Sequence, residues 1–333
     1  MFTDDDTHAL TPPLGDSPRP WEQGKSARLG SWSEVLKSTC DELKAIEHMT
    51  EHPGNRLFLL RLGKDIRADD MRLPPFPVAV KQVDQMMQRD IADAFKFAKL
   101  LSTDPALEHA VFYHANSVKY SRPASSLRGA IARLSQHHMW RLITQVGIDS
   151  AVWHVPHMPV WVRRQRLHAI VVAEVAAHLT QTEHCPEFLC GLLAGIGRLS
   201  IYRAAVRHRR NPAPEPDFVV QIANDFYATI GVLISRCWDL DPVVTGAIAN
   251  HNTPNRADSK SKKAAWMIYL ANIIAHTAVA EAEGLDSDGR EVLANLRGVS
   301  FNIEEAFDVA HDALSENEAF FEAQQANQQD PSA

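Results

Sequence analysis

Three runs of basic residues are the part of this sequence best suited to bind an anion. The planar guanidinium of arginine binds phosphate through two parallel hydrogen bonds, so a phosphate or a nucleotide is the ligand such runs favour. The members of the runs are Arg163, Arg164, Arg166, Arg198, Arg203, Arg207, Arg209, Arg210, Lys260, Lys262 and Lys263. The alternative is a solvated surface, since positive charge is also favourable where a helix ends, as expected near residues 207–210.

Four of these arginines are candidate contacts for a ligand or a partner: Arg164, Arg198, Arg203 and Arg207. A cyclic dinucleotide is the most specific ligand of this class. No arginine motif specific to a cyclic dinucleotide is present in the sequence, so a surface that binds an acidic partner stays open as well.

An aromatic, histidine-rich segment at residues 153–162 also contains Pro156 and Pro159. Two prolines at this spacing indicate a loop or a broken helix that joins two halves of a domain. Its aromatic side chains either form a small core between the halves or present an exposed platform to a partner. Trp153 and Trp161 are therefore candidate contact residues.

Short motifs for other chemistries are absent from the sequence. It contains no H-E-x-x-H, no P-loop and no dinucleotide-binding glycine pattern, although a catalytic triad assembled in space stays open. None of the four cysteines is spaced as C-x-x-C. This pattern fits a reducing compartment and argues against a structural zinc site or a disulfide framework, so no cofactor is expected.

The composition is that of an ordinary globular protein, with 45% hydrophobic and 23% charged residues. A formal net charge of −7 argues against a broad nucleic-acid-binding surface. The N-terminus carries acidic residues where a signal peptide carries basic ones. The best candidate for a membrane span, residues 264–280, is short and holds Asn272 and His276. We therefore predict a cytoplasmic protein that binds neither nucleic acid nor a membrane.

The elements that position these residues are predicted to be helices throughout, because the apolar residues recur at helical spacing and no segment alternates with a period of two. Ser31 or Ser33 is predicted to cap a first helix that ends near Met49. Residues 45–72 allow an irregular arm or a short hairpin. The further predicted helices are 78–88, 91–101, one opening at 105, 125–135, 137–146, 162–179, 187–206, 218–238, 242–250, 264–280 and 303–325.

Several stretches resemble the HDOD family, a set of bacterial signalling domains related to HD phosphohydrolases. They occur in the family's order over residues 73–275. The stretches are 73–77 (LPPFP), 104–107 (DPAL), 115–117 (ANS), 126–134 (SLRGAIARL), 168–179 and 188–199 (FLCGLLAGIGRL). The resemblance implies an all-α domain with an N-terminal helical half beginning near Leu73 and an HD-like half beginning near Val160.

The predicted organisation of the chain has four parts. A flexible, proline-rich tail covers residues 1–30, and an N-terminal extension with one helix covers 31–72. The HDOD domain covers 73–285. A C-terminal helix and a disordered end cover 286–333.

The resemblance also places the metal-binding positions of an HD hydrolase on this sequence. It places the first histidine at His168, the His-Asp pair at Ala194 and Gly195, and the late aspartate at Asn272. Many family members carry a histidine pair where this chain has His251. HD chemistry needs carboxylates, because a bridging aspartate holds hard divalent ions that activate water. Ala194 and Gly195 have no donor atom, so we predict a relic site without metal and without catalytic residues.

The resemblance therefore implies a role in bacterial signal transduction. The favoured hypothesis is a non-catalytic adaptor that acts by protein–protein binding to another signalling protein. One alternative is a nucleotide-binding sensor with a cyclic dinucleotide as ligand. A second alternative is a residual metal-dependent phosphohydrolase that uses a rearranged site.

Overall fold

The structure is a computed structural model. It describes residues 27, 30–67, 75–89, 93–116, 123–152, 159–180, 186–207, 212–296 and 301–329. All regular elements in these ranges are helical, and the ranges contain no strand, so the predicted all-α class is confirmed. The side chains of residues 150–152, 159–161 and 323–329 are not among those described.

The helices are α1 (Trp32–Met49), α2 (Pro53–Arg67), α3 (Val78–Gln88), α4 (Ala94–Leu101), α5 (Pro105–Ala115), α6 (Leu127–Ile131), α7 (Gln136–Val152), α8 (Pro159–Thr180), α9 (Pro186–Leu193), α10 (Ile196–Arg207), α11 (Pro216–Cys237), α12 (Pro242–Asn250), α13 (Lys262–Ala282), α14 (Gly289–Asn295) and α15 (Ile303–Gln329). A 3-10 turn, Pro254–Arg256, follows α12.

The chain divides into two compact units. The first unit comprises residues 1–73, 155–181 and 185–315, and the second comprises 74–154, 182–184 and 316–333. The division after residue 73 lies where the sequence predicts the N-terminal helical half to begin, and the division after 154 lies close to the predicted start of the HD-like half. The predicted domain boundaries themselves stay predictions.

Helix α1 begins with the predicted cap. The Ser31 Oγ accepts a hydrogen bond from the Glu34 backbone N–H at 3.3 Å, and the Glu34 carboxylate accepts one from the Ser31 N–H at 2.7 Å. This reciprocal pair satisfies two backbone donors that the first turn of a helix leaves without a partner. Val35 and Leu43 then bury the inner face of the helix.

The prediction of a single helix between residues 31 and 72 is wrong, because α2 follows α1 directly. Pro53 opens α2 instead of ending the preceding structure, since the first helical position needs no N–H. Phe58 and Leu59 are both about 1% exposed, so these two side chains lie on the buried face of α2. At Gly54 a Cβ atom would lie 1.9 Å from the Ala213 carbonyl oxygen, so this position requires glycine.

The predicted helix over residues 187–206 is interrupted. It forms two helices, α9 and α10, with Ala194 and Gly195 in the turn between them. Helix α9 packs on α8, and α10 packs on α11. At Gly197 a Cβ atom would lie 1.9 Å from the Tyr227 carbonyl oxygen, so α10 and α11 cross with their backbones in close approach.

The helices of the second unit lie where the sequence predicts them, but several begin or end at other residues. Helix α3 has the predicted bounds, whereas α4 begins three residues later than predicted, at an Asp93 side chain that accepts the Lys96 N–H at 2.8 Å. The predicted helix over 125–135 is reduced to α6. Two buried amides, Gln145 and Asn317, join through a 2.6 Å hydrogen bond within this unit.

Two helical stretches among the described residues are long and apolar enough to cross a membrane by length and composition alone. They are Pro186–Arg207 and Pro216–Cys237, of whose apolar windows 72% and 67% are buried inside the protein. Burial of this extent is that of core helices, so the two stretches are weak evidence for a membrane span. Residues 264–280, the best candidate from the sequence, lie within α13 and do not meet this test.

Candidate functional site

A small cavity in the first unit is lined by residues of α8, α9, α10, α11 and α13, by the turn between α9 and α10, and by two residues that follow α12. The volume open to the centres of water molecules is about 40 Å³. The lining residues are Gln165, His168, Ala169, Val172, Gly191, Ala194, Gly195, Arg198, Tyr227, His251, Asn252, Asn272 and His276. We call this space the central cavity.

The structure brings all five predicted relic positions together around the central cavity. His168 lies on α8 and Asn272 on α13. Ala194 and Gly195 occupy the turn between α9 and α10, and His251 directly follows α12. A Cβ atom built on Gly195 meets no atom within 4 Å, so this wall of the cavity is open where an HD enzyme has its aspartate.

The rings of His168 and His276 pack against each other at an angle of 58°, with their centroids 4.1 Å apart. The Nε2 atom of His168 is buried and has no hydrogen-bond partner among the described residues. Burial and, less strongly, the positive charge of Arg198 together lower the pKa of His168 to about 4. Burial, His168 and Arg198 together hold the pKa of His276 well below its ordinary value. Both imidazoles are therefore neutral at physiological pH.

His251 is held by protein groups at both ring nitrogens. Its Nδ1 lies 2.9 Å from the Ile248 carbonyl oxygen, and its Nε2 lies 2.9 Å from the Tyr227 hydroxyl. The Tyr227 hydroxyl oxygen also lies 2.7 Å from the Asn252 side-chain oxygen. Burial lowers the pKa of His251 to about 4. Both ring nitrogens of His251 therefore contact protein groups, and neither is available to bind a metal ion.

Arg198 is the charged residue of the central cavity. Its guanidinium lies 4.5 Å from the centre of the Tyr227 ring, and its Nη2 donates to the Asn224 side-chain oxygen at 3.1 Å. Its Nε is buried without a hydrogen-bond partner in the described part of the chain. No aspartate or glutamate is among the described residues that line the cavity. The cavity is therefore electropositive.

These residues do not fit the metal centre of an HD hydrolase. Such a centre needs carboxylate oxygens that bridge hard cations. Within the described ranges, no three histidine, cysteine, aspartate or glutamate side chains are grouped so that they could hold a metal ion. The Arg198 guanidinium would also repel a divalent cation at short range. The cavity offers a fixed positive charge where the enzymes have a metal ion.

The other predicted contact residues take different positions. Arg164 pairs with Glu283, and Arg207 pairs with Asp65 at 3.0 Å. Arg203 is half-buried, and burial together with the charge of Arg207 lowers its pKa. Of the two predicted aromatic contacts, Trp153 lies outside the described residues, and Trp161 lies in α8 with its side chain outside them.

Sequence reasoning missed several lining residues. His276 stands four residues after Asn272 on α13, and Gln165 stands three residues before His168 on α8, so helical spacing alone would have placed them beside predicted positions. Tyr227 and Asn252 come from other elements, and no local signal marks them. Their contribution depends on how α11 and α12 pack.

A family model described as the HDOD domain matches residues 73–254, more than half of the chain. The chain belongs to the HDOD family. HDOD is a degenerate relative of the HD phosphohydrolases, and membership supports a role in signalling. The missing carboxylates of the central cavity agree with that degeneration.

Solved structures similar to this chain include proteins from three bacteria. One, from Shewanella amazonensis SB2B, is provisionally named a metal-dependent phosphohydrolase; it is 19% identical with a TM-score of 0.56, and 80% of this chain covers 99% of that one. An HDOD domain protein of unknown function from Geobacter sulfurreducens is 15% identical with a TM-score of 0.51. The match covers 88% of this chain and 97% of that chain.

A third structure, from Marinobacter aquaeolei VT8, is provisionally named a signal transduction protein. It is 19% identical with a TM-score of 0.55, and 89% of this chain covers 66% of that chain. At these identities the likeness shows a shared fold alone. Among curated proteins no match is found.

Proposed function

We propose that this HDOD protein is a non-catalytic adaptor in bacterial signal transduction that acts in the cytoplasm by binding another signalling protein. The observation that carries the proposal is the central cavity, where Arg198 supplies a positive charge and no described carboxylate is available for a metal ion. A protein that lacks the metal ligands of its enzymatic relatives can still bind other proteins through its surface.

A groove on the second unit supports a docking role. It has a volume of about 360 Å³ and lies between α3 and α4. Three basic residues line it, Arg89, Lys96 and Lys99, together with the apolar Met86 and Leu100. Lys96 also pairs with Asp93 at 3.5 Å. A mixed apolar and cationic groove is complementary to an acidic, partly apolar segment of a partner protein.

The adaptor proposal predicts that reversing one charge in this groove weakens partner binding. The full-length chain is first used to capture its partner from the native cytoplasm, and the dissociation constant of the purified pair is then measured. Lys99→Glu is expected to weaken binding by about tenfold at low salt, because a like charge then faces the acidic partner.

Lys81→Glu is the matched control, since Lys81 is an exposed lysine on α3 that does not line the groove. We expect it to bind within about twofold of the unchanged protein. Equal affinities for all three proteins would exclude this groove as the docking site. Failure to recover any reproducible partner would count against the adaptor itself.

A nucleotide-binding sensor is the second candidate function, favoured by the positive charge of Arg198. The central cavity, however, has room for about three water molecules, whereas ligand pockets for whole nucleotides are roughly 300 Å³ or larger. A cyclic dinucleotide would therefore have to bind mainly outside it. Calorimetry with cyclic di-GMP decides this question, and heat of binding at micromolar concentration would favour the sensor over the adaptor.

A further inference from the structure

We infer that the central cavity is a binding site for a tetrahedral oxyanion, either free phosphate or the phosphate group of a larger ligand. Arg198 and His168 would be its principal donors. The inference does not depend on the adaptor proposal, because anion binding is measured on the isolated protein without a partner.

The charge of Arg198 is the first argument. Two other partly buried arginines of the same unit have a carboxylate at hydrogen-bond distance. Arg207 pairs with Asp65 at 3.0 Å and Arg290 with Glu281 at 2.6 Å. Arg198 is half-buried and forms no ion pair with any described residue. A cation removed from water without a counter-ion is unfavourable, so an anion in the cavity would stabilise it.

The hydrogen-bond donors are the second argument. The Nε of Arg198 and the Nε2 of His168 are both buried and have no partner in the described part of the chain. Buried polar atoms of this kind are normally satisfied, by protein, by water or by a ligand. Asn224 and the Tyr227 ring hold the guanidinium in one orientation. A fixed guanidinium beside an imidazole N–H is a donor arrangement suited to phosphate oxygens.

The size of the cavity is the third argument. A volume of about 40 Å³ for water centres accepts roughly three waters, which is close to the space of a single phosphate or sulfate. The wall at Gly195 is open, since a Cβ atom there meets nothing within 4 Å. A larger ligand could therefore place only its phosphate group inside.

The first test titrates inorganic phosphate into the full-length protein by calorimetry, with chloride keeping the ionic strength constant. We expect saturable binding of one phosphate per chain. Arg198→Met is expected to lose at least about tenfold in affinity, because it removes the cation and keeps an apolar stem. Arg89→Met removes an arginine from the groove of the second unit instead and should leave phosphate binding unchanged.

A second pair of variants keeps the test decisive if Arg198→Met does not fold. Gly195→Asp places a carboxylate in the open wall, where it would neutralise Arg198 and exclude the anion. Gly195→Asn has nearly the same shape without the charge. We expect phosphate affinity to fall at least about tenfold in the aspartate variant and to stay within about threefold in the asparagine variant.

A third titration distinguishes the two sources of the anion. Phosphoserine, a small phosphate monoester, is compared with inorganic phosphate on the unchanged protein. Tighter binding of the monoester, with competition between the two, identifies the end group of a larger ligand; tighter binding of inorganic phosphate identifies the free ion. No saturable phosphate binding, binding lost only in Arg89→Met, or equal affinity of the Gly195→Asp and Gly195→Asn variants would overturn the inference.

Discussion

At the scale of single residues, Arg198 sets the electrostatics of the central cavity. Burial lowers the pKa of His168, His251 and His276, and the positive charge of Arg198 acts on all three in the same direction. Neutral imidazoles beside a fixed guanidinium attract anions and repel divalent cations. One arginine thus reverses the sign of a site that binds metal ions in HD enzymes.

The buried histidines predict how stability depends on pH. His168 and His251 have folded-state pKa values of about 4, whereas an unfolded histidine titrates near 6.5. Between these values the unfolded chain binds more protons than the folded one, so the free energy of unfolding falls as the pH drops from about 6.5 toward 4. Above pH 6.5 this stabilisation is complete.

His168→Gln removes one of these groups and should reduce the pH dependence. In phosphate-free buffer, we expect the loss of unfolding free energy between pH 7 and pH 5 to shrink by about 1 to 2 kcal/mol, measured by urea denaturation. His48→Gln is the control, since His48 is exposed on α1. An unchanged pH dependence in His168→Gln would show that His168 is not buried in its neutral form.

At the scale of elements, close crossings of helices build the cavity. Helix α10 carries Arg198 and approaches α11 at Gly197, where a side chain would meet the Tyr227 carbonyl oxygen. The same crossing brings the Tyr227 ring under the Arg198 guanidinium. The position of the cation therefore depends on a glycine one residue away from it.

Gly197→Ala is expected to destabilise the protein by about 2 to 4 kcal/mol, because its Cβ would lie 1.9 Å from a backbone oxygen and would force α10 and α11 apart. Gly63→Ala on α2 is the matched control. Its Cβ meets only the flexible end of Arg67 at 3.8 Å, so it should be neutral or stabilising by up to about 1 kcal/mol. Chemical denaturation measures both, and similar values for the two variants would contradict the close crossing.

Much of the helical pattern could be predicted from the sequence, because the spacing of apolar residues reports the buried face of each helix. The prediction of helices is wrong where one residue type occurs in two kinds of local structure. Pro53 and Gly54 are residue types that favour the arm or hairpin expected at residues 45–72, although proline also begins helices and Gly54 is required by its contact with Ala213. The break between α9 and α10 falls at Ala194 and Gly195, although a single glycine is often tolerated inside a helix.

The central cavity was predictable in part. The family resemblance places five positions in four separate stretches of the sequence, and the structure brings all five together. The contact of Arg198 with the Tyr227 ring and the tilted contact of His168 with His276 join residues from different elements. Such contacts depend on tertiary packing, which no short motif encodes.

At the scale of the whole molecule, the chain combines a net charge of −7 with cationic sites in both units. The central cavity of the first unit holds Arg198, and the groove of the second holds Arg89, Lys96 and Lys99. Local positive sites on an acidic protein favour specific anionic partners and disfavour nonspecific binding to nucleic acid. An adaptor that binds an acidic partner and a small oxyanion fits this distribution.

The most direct test of the relic-site account is the metal content of the protein. The protein is purified without chelator or added metal, dialysed against excess Mn²⁺ and Zn²⁺, and analysed for bound metal. Because the central cavity lacks carboxylates and contains a guanidinium, we expect no more than about 0.1 metal ion per chain. One or two tightly bound metal ions per chain, lost in His168→Ala, would contradict the account.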